Sequence, residues 1–148
     1  MLLASPRPTF SQSDHSRLTL ADATAIIAAA QRSATAMNAR VSIAVVDPRG
    51  DLVAVERMPG ASGASVDITI GKAMVSAIFY RPSGALAGRA TAPTNVALNE
   101  AAGGRLRFLQ GAVPVVRGGL LLGAVAVGGG TSQTQDEAIA TDGAAAIR

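Results

Sequence analysis

The chain has few of the side chains that enzymes most often use for polar catalysis. Its 148 residues include no cysteine and no tryptophan, and one each of histidine, lysine and tyrosine: His15, Lys72 and Tyr80. The lack of cysteine excludes thiolate metal cages and cysteine nucleophiles. A serine, histidine and aspartate triad is disfavoured because the one histidine stands in a polar N-terminal segment. Chemistry here must use carboxylates, arginines, backbone groups or a bound cofactor.

Aromatic residues are also scarce, at 3% of the chain, although 49% of the residues are hydrophobic. The core must therefore be built from alanine, valine, leucine and isoleucine, which allow backbones to approach closely. Such a high apolar share in a chain of this length leaves more apolar surface than one core can cover, which favours a homo-oligomer.

The charge pattern does not favour nucleic acid as a partner. The formal net charge is +3, but the twelve arginines are scattered and the aromatic residues needed for base stacking are few. The apolar run Met1–Ala4 is too short for a secretory signal, and no later run reaches membrane-spanning length without glycine or charge. We therefore expect a cytoplasmic protein that binds neither nucleic acid nor membrane.

The length and even composition predict a single compact domain. Residues 1–17 mix prolines, serines and isolated charges, and we expect them to form a flexible N-terminal arm ahead of a domain at residues 18–148. The first helix should begin at Thr19, which can form a capping box with Asp22, and end near Asn38.

Apolar periodicity and turn residues predict the later elements. The helices are expected at Ser65–Tyr80, Ser83–Ala90 and Gln133–Ile147, with a surface loop at Ala92–Gly104. The strands are expected at Val41–Val46, Leu52–Met58, Leu106–Gln110, Ala112–Val116 and Leu120–Val127. Hairpin links between strands then predict an α+β fold, with helices packed on a five-stranded antiparallel sheet.

Three consecutive glycines, Gly128, Gly129 and Gly130, join a buried strand to the last helix. Backbone amides without side chains, next to a helix start, are typical of anion-binding turns. The spacing matches neither a Walker loop nor the dinucleotide fingerprint. The alternative is that the glycines only form the turn.

Lys72 is the one lysine and stands on an otherwise apolar helix. It could act as a base, an imine former or an anion clamp. Alternatively, it extends to solvent or pairs with Asp47, Asp51 or Glu56. Asp67, five residues earlier, points away from it on a helix.

Two other polar groups have both a functional and a structural interpretation. His15 could ligate a haem iron if the arm folds over a pocket, but such a residue is more often solvated. No second histidine is present to complete a zinc or non-haem iron site. Gln135, Asp136 and Glu137 are explained adequately by the dipole of the last helix.

Six short segments, in this order, resemble the GlcG/HbpS family of haem-degrading or haem-binding domains, which is related to the C-terminal domain of PduO. The segments are Leu18–Asp47 with its Leu-Thr-Leu start and Val-Val-Asp end, Arg57–Ala61, Asp67–Ala73, Arg81–Ser83, Gln110–Val115, and Gly129–Thr131 followed by Gln135–Glu137. The resemblance covers about Leu18 to the C-terminus.

The resemblance implies a compact α+β subunit in a higher oligomer that, in some members, binds haem or a corrinoid-like tetrapyrrole. A haem ligand near the N-terminus is a family pattern, and His15 is the one histidine that can supply it. Lys72, Arg57 or Arg81 would be compatible with the haem propionates.

Three functional hypotheses follow. In the first, the protein binds haem or a related tetrapyrrole. In the second, it is a cofactor-independent enzyme for a small anionic or carbonyl metabolite, with Lys72, Glu56, Asp67 or Glu137 transferring protons and the glycine turn holding negative charge. In the third, it is an accessory subunit of another enzyme.

Overall fold

The computed structural model describes residues 17–148; residues 1–16, which include His15 and nearly all of the expected N-terminal arm, lie outside the described residues. Four helices, four strands and two 3₁₀ turns make up the regular structure of the described part. In chain order they are α1 (Leu20–Ala36), β1 (Ser42–Val46), β2 (Leu52–Arg57), α2 (Ser65–Phe79), a 3₁₀ turn (Ser83–Leu86), α3 (Pro93–Ala101), β3 (Ala112–Arg117), β4 (Leu120–Gly128), α4 (Gln133–Ala144) and a second 3₁₀ turn (Ala145–Ile147).

The four strands form one antiparallel sheet in the order β2-β1-β4-β3. β1 and β4 are the central strands, and Val45 of β1 lies opposite Val125 of β4 and Ala54 of β2. The α+β class and the predicted hairpins β1–β2 and β3–β4 are confirmed. The prediction of a fifth strand is wrong.

The segment Leu106–Gln110 does not join the sheet, because it packs against the outer side of α2. The amide of Arg107 donates to the Gly71 carbonyl at 3.2 Å, and Leu106 and Phe108 are buried against Met74 and Val75. Alternating apolar residues predicted a strand, but the apolar partner is a helix.

The prediction of a surface loop at Ala92–Gly104 is also wrong, since α3 occupies most of it. Pro93 stands in the first turn, where its missing N–H costs nothing, and the Asn95 side chain donates to the Arg89 carbonyl at 2.8 Å. The helix predicted at Ser83–Ala90 is only the 3₁₀ turn at Ser83–Leu86. Proline and asparagine therefore act here as helix-start residues.

Helices cover both faces of the sheet. α1 and α4 pack on one face, where Ile26, Ile27, Ile139 and Val125 belong to the largest buried cluster. α2 packs on the other face through Ala73 and Ala77 against Val46 and the alanines of β3 and β4. Small side chains on both sides allow this close packing. No helix in the described range is long and apolar enough to cross a membrane.

The start of α1 is fixed as the sequence predicts. Thr19 and Asp22 form a reciprocal capping box, and Asp22 also accepts a hydrogen bond from Arg117 Nη2 at 2.8 Å. Burial raises the pKa of Asp22, but hydrogen bonds from the Thr19 amide, the Arg117 guanidinium and the Thr19 hydroxyl, with the Arg117 charge, outweigh it. The pKa of Asp22 therefore lies below its ordinary value.

Candidate functional site

A cavity of about 300 Å³ lies between the first half of α2, the end of β4 and the start of α4. Its wall is mostly apolar, with Ile68 and Leu109 half exposed at its edge. The lining residues are Ser62, Ala64, Ser65, Ile68, Lys72, Leu109, Gly128, Gly129, Gln133 and Asp136. The predicted lysine, Lys72, and two of the three predicted glycines, Gly128 and Gly129, therefore line the same cavity.

Lys72 and Asp136 form a buried ion pair in the wall of this cavity. The Lys72 Nζ and Asp136 Oδ2 atoms are 3.0 Å apart, and the side chains are only 3% and 6% exposed. Nζ also donates to the Gln110 carbonyl at 3.1 Å. An ammonium group has three N–H donors, and these two contacts use two of them.

The glycine turn binds a carboxylate, but the carboxylate belongs to the chain itself. The Gly130 amide donates to Asp136 Oδ1 at 2.9 Å, and the Thr131 amide donates to Gln135 Oε1 at 2.9 Å. Ser132 caps α4 by accepting from the Gln135 amide. Asp136 is therefore held from two sides, by a backbone amide and by Lys72.

Glycine is required at the end of β4 for close packing. A Cβ atom at Gly128 would collide with the Thr69 hydroxyl of α2, and Gly129 has a φ of +100° that side chains disfavour. The two residues let α2 approach the end of β4, which brings Lys72 within reach of the start of α4.

A chain of buried hydroxyl groups supports the neighbouring wall. Ser65 Oγ donates to the Ser62 carbonyl at 2.6 Å and lies 2.7 Å from Ser42 Oγ. Because the one Ser65 proton is used by Ser62, Ser42 must be the donor of the second bond. Ser65 is therefore a positioning group for the loop before α2, and its proton is not directed at a base.

The other predicted site residues lie away from the cavity. Arg57 supports the loop beside it, since its Nη1 donates to the Ala61 carbonyl at 3.2 Å. Glu56 lies on the α1 face, where it accepts from Gln31. Asp67 and Arg81 are exposed and Glu137 is half buried, and none of the three lines the cavity.

The suggested pairing of Lys72 with Asp47, Asp51 or Glu56 is wrong. Asp47 and Asp51 instead pair with Arg49 in the turn between β1 and β2. The partner, Asp136, is 64 residues from Lys72, and its place in the first turn of α4 was explained by the helix dipole alone. A carboxylate in the first turn of the helix that follows the glycine run, in a chain with one lysine, was the available signal.

The cavity residues match part of what a tetrapyrrole needs. The apolar wall and Lys72 suit one edge of a macrocycle with a carboxylate, whereas none of the lining residues is a histidine, methionine or tyrosine that could ligate iron. Within residues 17–148, no group of three or more acidic or histidine side chains could hold a metal ion. An iron ligand would have to come from outside this lining; His15 is outside the described residues.

A sequence model of haem-degrading HbpS-like proteins matches residues 18–145. The chain belongs to the HbpS-like family. No curated protein gives a significant sequence match.

Solved structures agree with this membership. HbpS is 33% identical to this HbpS-like chain, with a TM-score of 0.77 and 97% of each chain covered. ORFY of Klebsiella pneumoniae is 27% identical, with a TM-score of 0.78 and 97% of each chain covered. PduOC, solved as a complex with haem, is 26% identical, with a TM-score of 0.75 over 88% of this chain and 94% of its own. The family and fold are thereby established.

Proposed function

We propose that this HbpS-like protein binds haem or a related tetrapyrrole, and that one edge of the macrocycle enters the cavity at Lys72. Membership of the HbpS-like family and the likeness to the haem complex of PduOC support this function. The observation that carries the location is the remaining N–H donor of buried Lys72 at the end of an apolar wall. A cavity of about 300 Å³ takes an edge of the macrocycle and not the whole of it.

In this proposal each group has a simple task. A propionate accepts a hydrogen bond from Lys72, and the apolar ring edge contacts Ile68 and Leu109. Gly128 and Gly129 line the cavity and let α2 pack closely against the end of β4. Arg57 holds the loop that carries Ser62. We propose His15 as the ligand of the haem iron. Arg81 does not line the cavity and the Gly130 amide is already bonded to Asp136, so this proposal gives neither residue a ligand contact.

A haemin titration of the full chain tests the proposal. We expect a Soret shift that saturates, and a changed Soret position in His15→Ala. Ile68→Gln, at the cavity edge, should weaken binding about tenfold, because it places a polar group where the apolar ring packs. Val96→Gln is the matched control, since Val96 is similarly exposed on α3 and does not line the cavity. No Soret shift, or equal affinity of the two glutamine variants, would contradict the proposal or its location.

The buried ion pair also favours a second function, proton transfer on a small carbonyl or anionic metabolite. Lys72 could donate to a developing oxyanion while Asp136 fixes its position. Of the carboxylates suggested from the sequence, Glu56, Asp67 and Glu137 do not line this cavity, so the function would depend on Lys72 with Asp136.

Exchange of α-protons with D2O in small oxo acids, followed by NMR, tests this second function. Exchange that Asp136→Asn abolishes, in a variant whose circular dichroism is unchanged, would support it. Wild-type protein that catalyses no exchange would contradict it for this substrate class.

We also propose a homo-oligomer. Large apolar side chains are exposed at separate places, and Leu20 and Leu120 are 65% and 48% exposed. Light scattering during size exclusion would give the mass of the assembly; a mass near 14.8 kDa would contradict it.

A further inference from the structure

A second, larger cavity runs between α2 and the edge strand β2, with a volume of about 520 Å³. Leu52 and Ile70 form apolar parts of its wall, and Gly71 lines it without a side chain. Leu52 lies opposite Val46, which packs against α2, so it points to the α2 side of the sheet. We call this cavity the β2 groove; it shares no lining residue with the cavity at Lys72.

Arg107 is held in a fixed position beside this groove. Its Cβ and Cγ atoms lie so close to Gly71 that a side chain there would overlap them. Its Nη1 donates to the Gly104 carbonyl at 2.8 Å and to the Leu106 carbonyl at 3.0 Å. Both bonds use Nη1, so Nε and Nη2 remain available on a guanidinium whose orientation is already set.

Arg105 adds a second guanidinium to the same groove. Its Nε donates to the Ala102 carbonyl at 2.9 Å, which leaves both of its Nη groups available. Within residues 17–148, no carboxylate lies within ion-pair distance of Arg105 or Arg107. Asp67 lines the groove too, so two cations and one anion leave a local excess of positive charge.

We propose that the β2 groove binds a carboxylate carried on an apolar body. The guanidinium groups of Arg105 and Arg107 would receive the carboxylate, and Leu52 and Ile70 would contact the apolar part. Because the chain's own carbonyl groups already orient the two arginines, little side-chain entropy is lost on binding. The carboxylate can come from a free small acid or from a tetrapyrrole propionate. The site does not depend on the function proposed for the cavity at Lys72.

The test compares 2-naphthoate with 2-naphthalenemethanol, which has the same ring system without the charge, by calorimetric titration of the full chain. We expect the alcohol to bind at least tenfold more weakly. Arg107→Gln keeps the Cβ and Cγ atoms that pack on Gly71 and should weaken naphthoate binding about tenfold. Asp67→Asn should strengthen it, since it removes the opposing charge. Arg89→Gln, an exposed arginine that does not line the groove, should change nothing.

Each outcome bears on the proposal. Equal affinity for the acid and the alcohol would overturn it, and so would unchanged naphthoate binding in an Arg105→Gln, Arg107→Gln double variant with wild-type circular dichroism. Naphthoate binding that Ile68→Gln weakens and Arg107→Gln does not would place the acid in the other cavity and also overturn it.

Haemin added as a competitor identifies the source of the carboxylate. Displacement of naphthoate, with haemin affinity also reduced in Arg107→Gln, supports the groove as a propionate site. Simultaneous binding of both ligands supports the groove as a site for a free small acid.

Discussion

The buried Lys72–Asp136 pair should be strongly coupled energetically, and a double-mutant cycle can measure this. The cycle uses Lys72→Met, Asp136→Asn and the double variant. Methionine keeps most of the length of the lysine stem without its charge. Asparagine keeps an oxygen that can accept the hydrogen bond from the Gly130 amide.

The magnitude follows from burial, because both side chains are more than nine-tenths buried. Lys72→Met leaves a carboxylate whose remaining partner is the Gly130 amide, and Asp136→Asn leaves an ammonium against a carbonyl and an amide. Removing one member of such a pair costs about 3–5 kcal/mol of unfolding free energy. The double variant has no uncompensated charge, so it should be clearly more stable than the sum of the single costs implies.

Urea unfolding followed by far-UV circular dichroism at pH 7 gives the four free energies. Several protein concentrations are needed, because self-association would raise the apparent stability. Arg49→Met is the matched control: the Arg49–Asp51 pair has a similar separation, 2.9 Å, but side chains that are 82% and 66% exposed. Arg49→Met should lower the free energy of unfolding by less than about 1 kcal/mol. Single costs at Lys72 and Asp136 as small as the control, or strictly additive costs, would refute the reasoning.

Two further stability predictions concern single residues. Gly111→Ala should lower the free energy of unfolding in urea by about 1–3 kcal/mol. The φ of Gly111 is +131°, and a Cβ atom there would lie 2.5 Å from Lys72 Nζ and 2.8 Å from the Val127 carbonyl oxygen. A variant as stable as wild type would contradict this close packing. Asp22→Asn should lower the free energy of unfolding at neutral pH, because a lowered pKa stabilises the fold only while the carboxyl group is ionised. The difference in unfolding free energy between variant and wild type should become smaller as the pH falls below the ordinary aspartate pKa of about 3.9 and through the lower pKa of folded Asp22. Urea unfolding at pH 7, 5 and 3 measures this, and a difference that does not change with pH would show that ionisation of Asp22 does not stabilise the fold.

Features set by neighbours in the sequence were predictable. The start of α1 follows from Thr19 and Asp22, which are three residues apart, and Asn38 ends it with a φ of 54°. The turn residues after the predicted strands Val41–Val46 and Ala112–Val116 place both hairpins correctly. Capping and turn chemistry act over a few residues, so the information is local.

The features that the sequence did not predict depend on contacts between distant residues. Leu106–Gln110 has strand-like residues, and only the position of α2 determines that they pack on a helix. The same holds at the candidate site, where Lys72 and the glycine turn were found but Asp136, 64 residues from Lys72, was not. Pairing of a buried charge requires knowledge of which elements meet, and local patterns do not contain it.

A final prediction concerns the salt dependence of ligand binding, which should differ between the two cavities because their charge balance differs. At the cavity beside Lys72, buried Asp136 already balances the lysine charge. A ligand there therefore gains a hydrogen bond with little net electrostatic attraction. In the β2 groove, Arg105 is exposed and the cations outnumber the anion, so attraction to a carboxylate acts through solvent. Such attraction is screened over about 10 Å at 0.1 M salt and about 3 Å at 1 M.

Raising NaCl from 0.05 to 0.5 M should therefore weaken naphthoate binding several-fold in wild type and much less in Arg107→Gln. Haemin binding that depends on Ile68 should change little over the same range, because the charge of Lys72 is already balanced by Asp136 and the other contacts are apolar. Salt-independent naphthoate binding would mean that the guanidinium groups do not supply the attraction.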